Sequence, residues 1–379
     1  MRISRITVWQ LDLPLAHPYW LSGGRLRFDR LDSTIVRLDT DEGVHGWGEG
    51  CPWGATYLPA FGRGIRAGLE ELAPVVLGQD PRMPERLNRA MDVALPGHPY
   101  VKAAIDVACW DILGRIAGLP VCDLLGGREG GPVALSSSIS TGTPEAMLAL
   151  IVEARASGLK VHSCKVGGTD AGLDIARIEA AAAARLPGET IVFDVNRAWT
   201  PGQAIEVMNS VHGKANGWFE QPCETMEEIA HVRAHVRQPI VLDECLHTMA
   251  DHIRAHGLGV CEAVKVKPNR LGGLTKARQV RDFGLSVGWR MHIEDVGGTV
   301  LADTAAIHLA QATPESHRLA GWSCQGHLVD DIAPGQGARN VDGAAAAPDL
   351  AGLGVEPETD RLGEPWAVYG QDFSGPQVR

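Results

Sequence analysis

Hydrophobic positions change their spacing along the chain, and each spacing predicts a different kind of element. Over residues 1–50 apolar and polar side chains alternate, which predicts a meander of three strands. From about residue 59 the spacing becomes helical, and three helices are expected: Ile65–Leu77, Pro84–Leu95 and Tyr100–Ala117. A sheet followed by helices is typical of an α+β domain. We place this domain at residues 1–128.

Beyond residue 129 short apolar runs alternate with amphipathic helical stretches. Eight such runs can be counted: Val133–Ser140, Val161–Val166, Thr190–Asn196, Gly217–Pro222, Ile240–Cys245, Ala263–Pro268, Trp289–Glu294 and Arg318–Trp322. Strand–helix alternation of this length predicts a parallel (β/α) barrel. We place the barrel at residues 129–330. The C-terminal segment, residues 331–379, contains a possible strand, Trp366–Tyr369, which we expect to return to the first domain.

Composition narrows the classes of function that this α/β architecture could serve. The net charge of -11 argues against a nucleic-acid partner, because phosphate binding needs a basic surface. No apolar run reaches the ~18 residues that span a bilayer, and the first residues lack a signal-peptide core. The eight cysteines form no CxxC pair, which is typical of reduced core thiols. We therefore expect a cytoplasmic protein that acts on a small molecule, with no membrane partner.

Acidic residues end three successive strands of the predicted barrel, where barrel enzymes place their catalytic groups. Asp194 ends strand three, Glu220 ends strand four and Asp243 ends strand five. Each residue alone could instead cap the helix that follows, because aspartate is a good N-cap. Three carboxylates at the same level of the predicted barrel favour a site for a hard cation, with Mg²⁺ preferred over Ca²⁺.

Two lysines bracket these acidic strands, one before and one after. Lys165 ends strand two and Lys267 ends strand six. A buried lysine beside a divalent cation should have a lowered pKa, since desolvation and like charge both oppose protonation, and could act as a base. Lys265 shares a face with Lys267 and could point into the barrel at a lower level. We prefer Lys267 because it lies nearer the strand end.

The order of these residues resembles the muconate-lactonizing subgroup of the enolase superfamily. The matching segments are GWGEGCP (46–52), AAIDVACWDILG (103–114), LLGG (124–127), EQPC (220–223), LDEC (242–245) and KPNRLGG (267–273). The resemblance covers nearly the whole chain. It implies a (β/α) barrel of modified TIM type, an N-terminal α+β capping domain completed by the C-terminal tail, and a homo-oligomer. It also implies Lys165 and Lys267 as the catalytic pair and one Mg²⁺ per subunit that stabilises an enediolate.

One departure narrows the resemblance to a branch of this subgroup. Many members carry Lys-x-Lys at the end of strand two, whereas this chain has Lys165-Val166-Gly167. Lysine followed by x-Gly-Gly resembles the branch acting on proline derivatives, which includes hydroxyproline-betaine 2-epimerases and cis-3-hydroxy-L-proline dehydratases. The stretches PYWLSGGRLRFDRLDSTIVRLDTDEGV, CPWGATYLPA, FDVNRAWTP and MHIEDVGGT are most similar to the dehydratases.

The resemblance to the dehydratases implies the elimination of water from cis-3-hydroxy-L-proline, giving Δ1-pyrroline-2-carboxylate. The alternative is a 2-epimerase or racemase of proline, a hydroxyproline or proline betaine. In either case the α-proton of the carboxylate substrate is removed. Which lysine removes it depends on how the substrate is oriented.

A proline-type substrate also needs partners for its ring and its ammonium group. The residues expected around it are Glu294, Asp295, Trp322, Tyr57 and Trp20, with Trp53 and Tyr19 as further aromatic candidates. We expect Trp20 to belong to a lid loop hinged at Gly23-Gly24. Glu244 and Asn196 are expected to support the metal ligands.

Two rival hypotheses compete with this interpretation. His292 on strand seven could be the histidine base of sugar-acid dehydratases, but that histidine needs an aspartate on strand six, and residues 263–271 contain none. We expect His292 to be structural. A protein that kept the fold but lost its activity is the second rival, and the intact acidic triad and both lysines argue against it.

Overall fold

The computed structural model describes residues 1–370, and its first layer is an antiparallel sheet. The strands of this sheet, in the order β14-β1-β2-β3, are β1 (Ile3–Leu21), β2 (Leu26–Thr40), β3 (His45–Gly50) and β14 (Ala367–Gly370). Four helices follow the first three strands: α1 (Gly62–Val76), α2 (Pro84–Ala94), α3 (Pro99–Ala117) and α4 (Val121–Leu124). Strand β14 pairs antiparallel with β1, so the C-terminal tail completes the capping domain as the sequence predicts. Residues 371–379 lie outside the described part.

The second layer is a parallel barrel. Its strands are β5 (Ser136–Ile139), β6 (Val161–Lys165), β7 (Thr190–Asp194), β8 (Trp218–Glu220), β9 (Ile240–Leu242), β10 (Ala263–Val266), β11 (Arg290–Ile293) and β12 (Arg318–Ala320). They pair in chain order, and a parallel bridge from Leu135 to Gly321 brings the two edges together. The eight predicted runs contain these eight strands in the predicted order, so the predicted fold class is confirmed.

Helices cover the outside of the barrel. They are α5 (Pro144–Ala156), α6 (Ala171–Ala183), α7 (Pro201–Ser210), α8 (Met226–Arg233), α9 (Met249–Leu258), α10 (Pro268–Leu271), α11 (Leu274–Ser286) and α12 (Val300–Gln311). The short helix α13 (Thr359–Leu362) belongs to the C-terminal segment and contacts β1 of the capping sheet. A small ribbon joins β4 (Val133–Ala134) to β13 (Ala344–Ala345). No helix in residues 1–370 is long and apolar enough to cross a membrane. All eight cysteines are free thiols.

The expected lid loop near the N-terminus is in fact the end of a long β-hairpin. Strands β1 and β2 remain paired out to Leu21 and Leu26, with an irregularity in register between Pro14 and Tyr19. Residues 15–28 therefore form a two-stranded extension of the capping sheet, which we call the hairpin arm. The sequence prediction was wrong here because the irregularity interrupts the alternation of apolar and polar residues by which a strand is recognised.

Glu49 on β3 joins the capping domain to the barrel. Its buried carboxylate accepts hydrogen bonds from the Ser33 hydroxyl (2.6 Å), the Thr299 backbone N–H (2.9 Å) and the Thr299 hydroxyl (2.7 Å). It also accepts from the Ala302 backbone N–H at 3.2 Å, so it satisfies donors in the first turn of α12. Burial raises the pKa of Glu49, and these hydrogen bonds oppose that rise.

Close backbone contact between β3 and the buried helix α3 requires glycine in the strand. A Cβ at Gly48 would lie 2.0 Å from the Ala104 carbonyl oxygen, and a Cβ at Gly46 would lie 2.3 Å from the Ala108 carbonyl oxygen. In both cases the nearest atom is a backbone carbonyl oxygen, which cannot move aside as the end of a flexible side chain could. The glycines of GWGEG therefore set the distance between the capping sheet and its helix.

We expect Gly48→Ala to lower the free energy of unfolding by at least about 2 kcal/mol, because the added methyl group overpacks a rigid contact. The matched control is Gly257→Ala in α9, where a Cβ meets no described atom within 4 Å. The control should be neutral or slightly stabilising. Urea denaturation followed by circular dichroism measures the free energy of unfolding of both variants. Equal values would contradict the close backbone contact between β3 and α3.

Candidate active site

The C-terminal ends of the barrel strands and the capping domain enclose one cavity. The capping domain contributes Tyr19, Leu21, Trp53 and Tyr57 to its wall. The barrel contributes Ser136, Ser137, Ser138, Ser163, Lys165, Asp194, Asn196, Glu220, Asp243, Lys265, Lys267, Glu294, Asp295, Val296 and Trp322. The acidic and basic residues that the sequence singled out at strand ends therefore meet in a single place.

The three strand-end carboxylates lie side by side and out of contact with solvent. Asp194 and Glu220 are direct register partners on β7 and β8, and Asp243 follows β9, the next strand. None is more than 1% exposed. The parallel strands of a barrel all end at one rim. When successive strands each end in an acidic residue, those acidic residues therefore lie next to one another.

None of these carboxylates caps a helix. The N-caps of the helices after β7, β8 and β9 are Thr200, Thr225 and Thr248, whose hydroxyls accept from the backbone N–H three residues further on. Each threonine is also part of a capping box. The rival interpretation of the acids as N-caps is therefore wrong, and their burial needs another explanation.

Amines donate hydrogen bonds to two of the three carboxylates. Asp194 accepts a short hydrogen bond from Lys165, and Asp243 accepts one from the Lys267 ammonium at 2.9 Å. The second oxygen of Asp243 lies 2.7 Å from Nη1 of Arg270. In this arrangement no three acidic, histidine or cysteine side chains of residues 1–370 are already placed to hold a metal ion together.

Glu220, between the other two acids, is the exception. Both of its carboxylate oxygens are buried without a hydrogen-bond partner in the described residues, and the nearest cation is Lys265 at 3.2 Å. Burial raises its pKa well above the usual range, and Asp194 and Asp243 add to that rise. Such a carboxylate is costly unless a positive charge compensates it. An all-oxygen donor set with this charge excess fits a hard divalent cation such as Mg²⁺.

Hydrogen bonds behind the acids hold them in place. The Asn196 amide donates to Asp194 at 3.2 Å and to Glu244 at 3.1 Å, and the Tyr57 hydroxyl donates to Glu244 at 2.6 Å. Glu244 does not line the cavity. It orients Asn196 and Tyr57, which do.

Lys165 and Lys267 approach the acidic group from opposite sides, one on β6 and the other directly after β10. Burial is the largest influence on the pKa of Lys165 and lowers it, but Asp194, Tyr19 and Glu220 together outweigh burial and the net pKa is raised. The pKa of Lys267 is likewise lowered by burial and raised by Asp243 and Glu294, with a net rise. The direction is opposite to the one expected for a lysine beside a cation, because in the protein alone these amines face carboxylates.

Glu294 joins a third lysine to the site. Its Oε1 accepts from Lys265 at 2.9 Å and lies 3.2 Å from the Lys267 nitrogen, while its Oε2 lies 2.8 Å from Nε2 of His292. His292 is fully buried and does not line the cavity. This contact gives His292 a supporting position behind Glu294.

Asp295 is occupied by local hydrogen bonds. Its carboxylate accepts from the backbone N–H of Val296 at 2.8 Å and from the Asn269 side chain at 2.8 Å. Burial raises its pKa to about 7, although these hydrogen bonds lower it. Asp295 lies on the cavity wall, but its oxygens are used to hold the loop after β11.

Aromatic rings close the side of the cavity next to the capping domain. The ring centroids of Trp53 and Trp322 are 6.0 Å apart, and those of Tyr19 and Trp53 are 4.7 Å apart. Trp20 does not belong to this wall. It is 38% exposed and stacks with Arg27, because side chains alternate along β1 and Tyr19 and Leu21 take the inward positions.

Gly167 lies beyond the end of β6, where its backbone contacts the tip of the hairpin arm. A Cβ at Gly23, at the tip of the arm, would lie 2.7 Å from the Gly167 carbonyl oxygen. Gly167 itself has a φ of +108°, and a Cβ there would lie 2.6 Å from Cβ of Ala198. A lysine at this position would be strained, and glycine instead allows the arm to rest on the strand end.

The sequence did not identify several residues that contribute to the site. Ser136, Ser138 and Ser163 line the cavity, and the Tyr19 hydroxyl makes a short hydrogen bond with Ser138. Arg270 pairs with Asp243 from behind. The serines were missed because only charged strand ends were considered, although the SSS run at 136–138 is a visible signal.

Solved structures share this architecture over nearly the full length. A member of the enolase superfamily from Roseovarius nubinhibens, also solved with magnesium, is 62% identical, covers 98% of this chain and 100% of its own, and superposes with a TM-score of 0.94. A Silicibacter pomeroyi protein is 48% identical over 98% of this chain and 100% of its own, with the same TM-score.

Characterised relatives include a dehydratase and a racemase. The chain is 40% identical over 370 residues to the cis-3-hydroxy-L-proline dehydratase of Roseibium aggregatum, which covers 97% of this chain and 100% of the relative. It is 28% identical to the N-succinyl-L-Arg/Lys racemase of Bacillus cereus, over 82% of this chain and 84% of that protein.

Two family models match the two layers of the fold. Residues 6–126 match the N-terminal domain of mandelate racemase and muconate lactonizing enzyme, and residues 146–361 match the enolase C-terminal domain-like family. Together with the full-length identities, these matches show that the chain belongs to the enolase superfamily, among the mandelate racemase and muconate lactonizing enzymes.

Proposed function

We propose that the protein is a Mg²⁺-dependent hydro-lyase that converts cis-3-hydroxy-L-proline to Δ1-pyrroline-2-carboxylate. The observation that carries the proposal is the position of Lys165 and Lys267 on opposite sides of one buried acidic group. The full-length similarity to a dehydratase of this substrate supports it. We further propose a cytoplasmic homo-oligomer with one Mg²⁺ per subunit.

Asp194, Glu220 and Asp243 are the residues that would hold the ion. The two unpartnered oxygens of Glu220 and the charge excess around it support this assignment. When bound, Mg²⁺ neutralises the substrate carboxylate and stabilises the negative charge that develops there as the α-proton leaves. Asn196 and Glu244 would keep the ligand oxygens oriented.

Stereochemistry gives each lysine a separate task. In cis-3-hydroxy-L-proline the hydroxyl shares a ring face with the carboxylate, and the α-hydrogen lies on the other face. One lysine therefore removes the α-proton as a base, and the opposite ammonium protonates the departing hydroxyl, so that water leaves. The remaining enamine tautomerises to Δ1-pyrroline-2-carboxylate. Glu294 keeps Lys267 in position through its 3.2 Å contact.

The aromatic wall would receive the substrate ring. Trp53 and Trp322 lie next to the cavity with their centroids 6.0 Å apart, and a secondary ammonium is attracted to the faces of such rings. Tyr19, carried by the hairpin arm, would close the site and exclude water. Trp20 has no part in this binding because it faces outward.

Epimerisation at C2 is the second candidate function. The same pair of lysines, acting on a substrate without a 3-hydroxyl, would remove the α-proton on one face and return a proton on the other. The racemase and epimerases among the relatives favour this alternative. The 40% identity to the dehydratase places dehydration first.

Incubation with cis-3-hydroxy-L-proline in D₂O, followed by NMR, separates the two functions. We expect loss of the 3-hydroxyl and formation of the pyrroline carboxylate, since both lysines can act in one turnover. Proline and its betaine serve as controls without a leaving group. Deuterium at C2 of those controls together with intact cis-3-hydroxy-L-proline would establish epimerisation instead, and the absence of any exchange would contradict both functions.

We expect Lys165→Ala and Lys267→Ala each to reduce dehydration by at least about 10³-fold, because each variant removes one of the two proton-transfer groups. Lys214→Ala is the matched control, since Lys214 is 62% exposed and pairs with Glu179, far from the cavity wall. Both active-site variants should keep the rise in melting temperature that Mg²⁺ produces. Full turnover in either variant would contradict the assignment of two lysines.

Glu220→Gln should weaken Mg²⁺ binding by more than about 100-fold, because the change removes the central negative charge of the donor set. Glu224→Gln is the control, four residues further along the chain, with a side chain that is 59% exposed. Isothermal titration with MgCl₂ measures both variants. Equal Mg²⁺ affinities would show that Glu220 is not a ligand.

A further inference from the structure

The loop between β3 and α1 covers the active site from the side of the capping domain. This segment, residues 51–61, is called the capping loop here. It enters the interior at Trp53 and again at Tyr57, which both line the cavity, whereas Ala55 and Thr56 between them are exposed. Trp53 is fixed by the aromatic rings around it. Tyr57 is held instead by polar contacts with the barrel.

Arg197, in the turn after β7, makes the contacts that hold Tyr57. Its Nη2 donates a hydrogen bond to the Tyr57 carbonyl oxygen at 2.8 Å, and its guanidinium carbon lies 5.2 Å from the centroid of the Tyr57 ring. Within residues 1–370 this is the only hydrogen bond between the backbone of the capping loop and the barrel. An arginine can stack on a ring and donate from its edge at the same time because the guanidinium is planar.

The same tyrosine is linked to the acids of the active site. The Tyr57 hydroxyl donates to Glu244 at 2.6 Å, and Glu244 also accepts from the Asn196 amide at 3.1 Å. Asn196, the residue before Arg197, donates in addition to Asp194 at 3.2 Å. One turn at the barrel rim therefore holds the capping loop through Arg197 and an acidic strand end through Asn196.

The backbone of this turn is strained. Asn196 has a φ of +45° and Arg197 a φ of +66°, so two consecutive residues other than glycine lie in the left-handed region. Local hydrogen bonds impose this conformation. The Asn196 N–H donates to Asp194 at 2.9 Å, and the next N–H donates to the Gln221 carbonyl oxygen at 2.9 Å. Strain of this kind is concentrated at functional sites, which favours a function for the direction that the Arg197 side chain takes.

A surface ion pair is the other explanation for Arg197. Its Nη1 lies 2.8 Å from Glu224, but that carboxylate is 59% exposed, and an ion pair with an exposed partner contributes little to stability. The Arg197 side chain is only 16% exposed, and Tyr57 is buried. The contact with Tyr57 is therefore the stronger one, and Glu224 provides a control.

We propose that Arg197 is a positioning residue that holds the capping loop closed over the bound substrate. It acts through Tyr57 and not on the reacting atoms. Release of the loop opens the cavity on its Tyr57 side and weakens substrate binding, whereas Lys165 and Lys267 keep their positions. The effect on the substrate rests on the proposed function, but the closure of the loop is a property of the protein alone.

Limited proteolysis of the full-length protein with chymotrypsin tests the closure without any substrate. Tyr57 and Leu58 are buried in the closed loop, so chymotrypsin cleaves after them only when the loop opens. We expect Arg197→Met to speed cleavage at these positions at least about tenfold, measured by mass spectrometry of the fragments. Arg197→Lys keeps a donor and should restore part of the protection. The control, Glu224→Gln, should be cleaved at the wild-type rate.

A wild-type rate of cleavage in Arg197→Met would refute the proposal. Faster cleavage along the whole chain together with a lower melting temperature would also refute it, because that result would show a general loss of stability.

Kinetics with cis-3-hydroxy-L-proline provide the second readout. In Arg197→Met the KM should rise at least about tenfold and kcat should change less than about threefold, because the residue acts on binding. A fall in kcat with an unchanged KM would contradict a positioning role. If the wild-type protein does not turn over this substrate, the proposed function fails, and the rate of cleavage alone decides the role of Arg197.

Discussion

The gathering of three buried carboxylates at one rim of the barrel is the constraint on which the rest of this structure depends. Asp194, Glu220 and Asp243 are each at most 1% exposed, and like charges so placed repel one another. The fold tolerates them only because cations surround them. Lys165 and Lys267 approach from the two sides, and Arg270 approaches from behind. Glu220 in the centre has an ion pair with Lys265 but accepts no hydrogen bond in the described residues, which is why the donor set fits a divalent ion.

The same ion pairs hold Lys165 and Lys267 where they can transfer protons. An amine that is hydrogen-bonded to a carboxylate has a fixed orientation. Its pKa depends on any other charge that binds the same carboxylate. A cation at the acids would compete with the amines for the same oxygens, so metal binding and the protonation of the lysines are linked. Glu294 and His292 complete the arrangement on the side of Lys267, where a hydrogen-bonded support keeps the amine directed into the cavity.

The sequence predicts the barrel and the charged centre because both follow from a simple repeat. Each apolar run ends in a polar residue, and parallel strands bring those ends to one rim. Asp194, Glu220 and Asp243 can therefore be assigned to the site from the sequence alone. The orientation of Trp20 could not be assigned, because it depends on a register irregularity in β1. Arg270 was missed because it belongs to the short helix after Lys267, and its pairing with Asp243 depends on tertiary contacts between neighbouring loops.

A crystal structure with Mg²⁺ and pyrrole-2-carboxylate, a planar analogue of the proline ring after loss of the α-proton, tests the central claim most directly. We expect the ion to bind an oxygen of each of the three acids at about 2.1 Å, the usual Mg²⁺–oxygen distance. We also expect the Lys165 and Lys267 nitrogens on opposite faces of the ring. An ion bound elsewhere, or both amines on one face, would contradict it.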